Sequence, residues 1–143
     1  MLALDPGERV VGVAVTDESR IVITPLPPVV RRGGLALGAF RRLFAAQKPS
    51  VIVMGRALRE DGTLSESGRT HKAFAAKLQK HFAEYAFTWA DERFSTQAAR
   101  EGRPEITKNN EAENLDSLAA AEILHTWLEH QRDLAAREKH SSP

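Results

Sequence analysis

The sequence predicts an α/β domain built on a mixed β-sheet, and the order of its apolar patterns is the main evidence. Three short β-type segments open the chain, and two amphipathic helical segments then alternate with two further apolar strands. The first three strands are joined by short turns, which suit antiparallel pairing. The later strands are separated by helices, which parallel pairing requires.

The opening strands are predicted to form a meander. Residues 2–5 are an apolar strand, residues 6–9 are a Pro-Gly turn, and the β-branched run at 10–15 is the second strand. This spacing predicts an antiparallel hairpin in which the first strand becomes the centre of the sheet. A third strand begins at Ile21, and the three prolines that follow it either end the strand or confine it to a sheet edge.

Apolar residues then recur at helical spacing. They predict one helix over residues 35–47 and another over 67–83. The continuous apolar run at 51–54 is typical of a strand buried on both faces of a sheet. Residues 86–90 are the last strand, and a final helix is predicted over 112–132.

Composition limits the class of protein. The 143 residues fit one domain, taken as residues 1–135 with a disordered polar tail at 136–143. No cysteine occurs, which excludes disulfides and thiolate zinc sites. No signal peptide is evident, and no apolar run reaches the roughly 18 residues that a membrane helix needs. We therefore expect a cytoplasmic protein without a membrane partner.

The charges neither mark nor exclude a nucleic-acid-binding protein. Lys and Arg number 20 against 19 Asp and Glu, so the net charge is +1. A local basic face matters more for binding nucleic acid than this sum does. The chain has no glycine-rich phosphate loop of the P-loop NTPase type, and its five histidines lack metal-binding spacing.

Three carboxylates stand where a strand ends or a helix begins. Asp5 closes the first strand, and Glu92 follows the last strand together with Asp91. Asp116 lies on an otherwise apolar face of the final helix. Each also has a structural explanation, as a turn residue or as an acid near a helix N-terminus. Together they would suit Mg²⁺ or Mn²⁺, because hard cations prefer oxygen ligands. The residues alone do not distinguish Asp91 from Glu92.

Four motifs resemble the YqgF/RuvX family of bacterial RNase H-like nucleases, whose members are assigned to Holliday junction resolution or to pre-16S rRNA processing. The motifs are Leu4-Asp5-Pro6-Gly7, the segment from Gly55 to Asp61-Gly62-Thr63, the run Asp91-Glu92-Arg93-Phe94-Ser95-Thr96, and the helix start Leu115-Asp116-Ser117-Leu118. They occur in the family's order and extend over nearly the whole chain. The third is the most specific of the four.

The resemblance implies an RNase H-like fold, with a five-stranded mixed β-sheet flanked by α-helices. It selects Glu92 over Asp91. The implied catalytic residues, which are also the implied metal ligands, are Asp5, Glu92 and Asp116. The side chains that it suggests for contact with nucleic acid, or for ordering the site, are Arg93, Ser95 and Thr96.

The chain departs from the family pattern in two places. Arg56-Ala57 stands where Leu-Pro usually follows the glycine, so Arg56 could add a phosphate contact. Glu111 and Glu113 precede Asp116, where the family tends to be basic. Acidic residues there would repel a nucleic-acid backbone locally, which affects substrate preference on that side.

These features predict a two-metal nuclease that uses Mg²⁺ or Mn²⁺ to cleave structured nucleic acid. RNA is favoured as the substrate, in processing of the pre-16S rRNA 5′ end, and the protein is expected to be a monomer or a homodimer. The alternatives are a Holliday junction resolvase acting on DNA and a non-catalytic protein that binds nucleic acid or the ribosome.

Overall fold

A computed structural model describes residues 1–56, 66–91 and 115–141 of the chain. The elements in this part are β1 (Leu2–Asp5), β2 (Val10–Thr16), β3 (Ile23–Val30), α1 (Leu37–Gln47), β4 (Ile52–Arg56), α2 (Glu66–His81), β5 (Phe87–Asp91) and α3 (Leu115–Ser141). The strands form one five-stranded sheet of order β3-β2-β1-β4-β5. This arrangement confirms the α/β class and the five-stranded mixed sheet.

Strand direction divides the sheet into two parts. β1, β2 and β3 form an antiparallel meander, whereas β4 pairs in parallel with both β1 and β5. β1 is therefore the central strand, as the hairpin pattern predicts. Because they run in the same direction, β1, β4 and β5 all have their C-terminal ends along one edge of the sheet, the edge that crosses the strand ends.

One face of the sheet packs against α1 and α2. Alternate strand residues such as Leu2 and Leu4 join an aromatic cluster from the two helices and the turn after α2. Within this cluster the Phe44 and Phe82 rings meet edge to face, with centroids 4.9 Å apart. Such pairs contribute about 0.5–1.5 kcal/mol beyond the burial of their area.

The opposite face packs against α3. Here the sheet presents small side chains, including Ala3, Ala14 and Ala90, and the helix presents Ala120 and Ala121. Small residues on both partners let the helix backbone lie close to the sheet. The described helices therefore cover both faces, as the resemblance implies.

β3 continues through its prolines instead of ending at them. It spans Ile23–Val30 and lies at the sheet edge, where proline is tolerated because its missing N–H is not needed by an outer neighbour. The register shifts within β3: Val11 pairs with Val29, but Val13 pairs with Leu26. Three steps along β3 thus face two steps along β2, which is a β-bulge.

α3 is longer than the sequence pattern predicts. It continues to Ser141, whereas we expected the helix to end near 132 and residues from 136 onward to form a disordered tail. Every residue from 129 to 138 is exposed, so no apolar periodicity marks this part of the helix. Its Leu, Ala, Arg and Glu residues have high helix propensity, which accounts for the extension. No helix in the described ranges is both long and apolar enough to span a membrane.

Two leucine-to-alanine substitutions test the packing of the α1/α2 face. Leu78 is fully buried, whereas Leu134 on α3 is 40% exposed. Leu78→Ala should lower the free energy of unfolding by about 2–5 kcal/mol, because it leaves a cavity in a closed core. Leu134→Ala should change it by less than about 1 kcal/mol. Urea unfolding followed by circular dichroism gives both values, and equal costs would contradict the assigned packing.

Candidate functional site

Asp5 ends the central strand at the edge where the parallel strands finish. It is partly exposed, and its register partner on β2 is Gly12. Because side chains alternate along a strand, Asp5 lies on the same side of the sheet as Ala3, which packs against α3. The carboxylate at the end of β1 is thus directed to the α3 side.

The turn after Asp5 is closely constrained. A Cβ added at Gly7 would lie 2.4 Å from the carbonyl oxygen of Val10, so any larger residue would force the turn to move. Arg31, just past the end of β3, donates from Nε to the Gly7 carbonyl oxygen at 2.7 Å. The close approach explains why a glycine follows Asp5-Pro6 in the first motif.

Ser117 anchors the start of α3 on the sheet. Its hydroxyl accepts a hydrogen bond from the Val13 N–H at 3.0 Å and donates one to the Leu26 carbonyl oxygen at 2.5 Å. These two backbone groups lie at the β-bulge, so the hydroxyl bridges β2 and β3 where their register shifts. Ser117 is fully buried. The anchor fixes the helix start beside Val13, the neighbour of Gly12.

This anchor also places the backbone of Asp116. Asp116 precedes Ser117 in the first turn of α3, and Ser117 contacts β2 one residue from the register partner of Asp5. The backbones of Asp5 and Asp116 are therefore brought to the same edge of the sheet. The structure does not describe the side chain of Asp116.

The other predicted site residues are placed only in part. Arg56 ends β4 and is in register with Asp91, the last residue of β5; for both, only the backbone is described. The predicted site residues that lie outside the described residues are Glu92, Arg93, Ser95 and Thr96. Among the side chains that the structure does describe, no three acidic or histidine groups gather as a metal site.

Sequence reasoning did not identify Ser117 as an important residue. It predicted that Asp116, Ala120, Ile123 and Trp127 would share the inner face of the helix. Ala120 and Ile123 are buried as expected, but Trp127 is only partly buried. The available signal was a serine within a run of leucine and alanine, because a buried hydroxyl requires hydrogen-bond partners.

Comparison with known proteins agrees with this architecture. A family model described as "RuvX: Holliday junction resolvase" matches residues 1–130. The chain belongs to the RuvX family. The YqgF/RuvX resemblance read from the four motifs is therefore confirmed.

Two similar curated proteins carry the same name. The chain is 34% identical over 137 residues to a Ruegeria pomeroyi protein named "Putative pre-16S rRNA nuclease". The aligned region covers 94% of this chain and 88% of the relative. A Geobacillus kaustophilus protein of the same name is 32% identical over 136 residues, with 92% and 98% covered.

Solved structures show the fold. The Thermus thermophilus RuvC, solved in complex with a Holliday junction substrate, superposes with a TM-score of 0.54 at 13% identity over 92% of this chain and 96% of that one. The yeast mitochondrial Holliday junction resolvase Ydc2 gives 0.52 at 15% identity, over 95% and 82%. At such identities the match supports the fold alone, and it confirms the RNase H-like architecture expected for a RuvX family member.

Replacing Ser117 tests the anchor of α3. Ser117→Ala removes the two buried hydrogen bonds that join the start of α3 to β2 and β3, so the free energy of unfolding should fall by about 1–3 kcal/mol. The exposed control Ser50→Ala should change it by no more than about 0.5 kcal/mol. Urea unfolding measures both, and hydrogen exchange of the Val13 amide should accelerate in Ser117→Ala. An unchanged Val13 amide would contradict the bridge.

Proposed function

We propose that this protein is a metal-dependent nuclease that hydrolyses phosphodiester bonds in structured nucleic acid. The observation that carries the proposal is the common edge shared by the end of β1 and the start of α3, which the Ser117 bridge holds together. Membership of the RuvX family supports the same activity.

The proposed ligands are Asp5, Glu92 and Asp116. Asp5 lies on the α3 side of the sheet, and Ala90 of β5 packs on that side as well. Strand alternation continued from Ala90 would direct Glu92, and not Asp91, toward the same side. This spacing supports the choice of Glu92 that the family resemblance makes.

The proposed donor set fits a hard divalent cation. Carboxylate oxygens are the ligands that Mg²⁺ and Mn²⁺ prefer. Two such ions, held by Asp5, Glu92 and Asp116, would supply activation of the attacking water and stabilisation of the leaving oxygen of a phosphodiester. In this proposal Asp5 is held by the sheet, because its strand is paired on both sides.

The remaining predicted residues would bind the substrate. The guanidinium of Arg93 stays charged at any physiological pH and can pair with two phosphate oxygens at once. Ser95 and Thr96 would donate hydroxyl hydrogen bonds to the nucleic acid or to the carboxylates. Arg56, at the end of the neighbouring strand β4, would add a phosphate contact.

The favoured substrate is the 16S rRNA precursor, because relatives at 32–34% identity are named "Putative pre-16S rRNA nuclease". Cleavage in its 5′ region is the site that we expect from the family resemblance. The second candidate is a four-way DNA junction, which the description of the matching family model favours. Junction cleavage would require a symmetric dimer that presents two sites to the junction.

Removing the Asp5 charge tests the assignment. Asp5→Asn keeps the shape of the side chain but weakens metal binding, so cleavage in Mn²⁺ should fall by roughly 10³-fold or more. The matched control is Asp17→Asn, which changes an exposed aspartate just past β2 at the opposite edge of the sheet. It should cleave like the unchanged protein. Initial rates on labelled RNA measure both.

Two results would contradict the proposal in different ways. Unchanged cleavage by Asp5→Asn would remove Asp5 from the catalytic residues. Absence of cleavage by the unchanged protein, together with no Mn²⁺ binding by calorimetry, would instead indicate the non-catalytic binding protein.

Direct competition separates the two substrates. A pre-16S rRNA fragment that spans the mature 5′ end should be cut faster than a synthetic four-way DNA junction of equal length, under the same Mg²⁺ and salt conditions. Gel analysis of both labelled substrates in one reaction gives the ratio. Preferential, paired cuts across the junction would favour the resolvase.

A further inference from the structure

A concave site lies at the same edge of the sheet as Asp5, on the opposite face from α3. It is an open cleft of about 370 Å³ lined by Glu8, Arg31, Gly33, Thr70 and His71. Glu8 belongs to the turn after Asp5, Arg31 follows the end of β3, and His71 lies on α2. We call it the Arg31–His71 cleft.

Arg31 is held rigidly at the wall of this cleft. Its Nε and Nη1 donate to the carbonyl oxygens of Gly7 and Gly34, each at 2.7 Å. Its guanidinium carbon lies 4.2 Å from the centre of the Phe74 ring. A guanidinium has five N–H donors, so these bonds leave Nη2 available for a ligand. A cation fixed in this way loses little conformational freedom when it binds an anion.

His71 lines the same cleft with a partly buried ring. Its Nδ1 is buried and has no hydrogen-bond partner among the described residues. Burial and, to a smaller extent, the nearby charge of Arg31 lower the pKa of His71. The lowered pKa favours the neutral ring, which carries one N–H donor and one acceptor nitrogen.

The surroundings of the cleft favour a polyanion. Among the described residues, its acidic lining residue is Glu8. Exposed cations are adjacent in the sequence to the lining residues, and they are Arg9, Arg32, Arg69 and Lys72. Basic residues concentrated near a concave site favour a ligand that carries phosphate groups.

We propose that the Arg31–His71 cleft binds a backbone phosphate of the nucleic acid through donors from Arg31 and His71. The proposal rests on the proposed function only in taking a nucleic acid as the substrate. Glu8 and Asp5 are separated by a short turn, and Arg31 holds that turn through Gly7. A phosphate in the cleft is therefore bound beside the turn that follows Asp5.

Binding in the cleft is coupled to protonation of His71. A bound phosphate favours the imidazolium, so it raises the pKa of His71 above its value in the free protein. Among the described residues, the charged groups that line the cleft with His71 are Arg31, which opposes protonation, and Glu8, which favours it. Affinity should consequently increase as the pH falls through the pKa of the complex.

Histidine NMR gives the direct test. Full-length protein in EDTA is titrated with a short single-stranded oligouridylate, and the imidazole nitrogen signals are followed against pH. The oligonucleotide should raise the pKa of His71, while signals of the exposed His81 at the end of α2 should not respond. Inorganic phosphate at the same concentration of phosphate groups should act much more weakly. An equal response would assign the cleft to free phosphate and overturn the proposal.

Charge variants provide the second arm of the test. Glu8→Gln removes the competing carboxylate and should tighten oligonucleotide binding by about 5-fold in low salt. His71→Gln and Arg31→Gln should weaken it by about 10-fold. Arg31 also holds the turn, so Arg31→Gln could fail to fold. In that case the affinity of Glu8→Gln decides the test. Fluorescence anisotropy in EDTA measures all three.

The outcomes separate this site from the nuclease assignment. If the His71 signals respond but the protein cleaves nothing, the cleft proposal stands and the nuclease proposal fails. If the protein cleaves RNA but the oligonucleotide leaves the pKa of His71 unchanged and Glu8→Gln leaves the affinity unchanged, only the cleft proposal fails.

Discussion

Parallel pairing of β4 with β1 and β5 is the constraint on which the candidate site depends. Because these three strands run in one direction, their carboxyl ends arrive at one edge of the sheet. Polar side chains at strand ends can reach solvent or ligands there, whereas the same groups inside the sheet would be buried at a cost. If β5 ran in the direction opposite to β1, the ends of these two strands would be separated by the length of a strand. The central position of β1 then places Asp5 between strands β2 and β4.

A defect in the sheet provides the second constraint. The β2–β3 register shifts between Val11 and Val13, and beside the shift Ser117 accepts from the Val13 N–H and donates to the Leu26 carbonyl oxygen. A buried hydroxyl requires such partners, so the helix start is specified by hydrogen bonding as well as by packing. The bulge thus contacts a helix residue that is adjacent to a proposed metal ligand. Arg31 holds the other side of the same edge through the turn after Asp5.

Local patterns were sufficient to predict most of the fold. The strands are short apolar runs bounded by turn residues, so their order and the central place of β1 could be predicted. The end of α3 could not, because its last turns are exposed on all sides and carry no apolar period. The Ser117 bridge could not be predicted from local sequence either, because its partners are 104 and 91 residues away in the sequence. Asp5 could be placed from its strand, but the choice of Glu92 over Asp91 came from the family signature.

The central claim is that Asp5, Glu92 and Asp116 together bind divalent metal. A crystal soaked in Mn²⁺ tests it most directly, because anomalous scattering locates manganese independently of any assumed chemistry. The account predicts anomalous peaks at the carboxyl edge of the sheet, each within about 2.3 Å of oxygens from these carboxylates. A well-ordered edge without such peaks, with the three carboxylates directed apart, would contradict it.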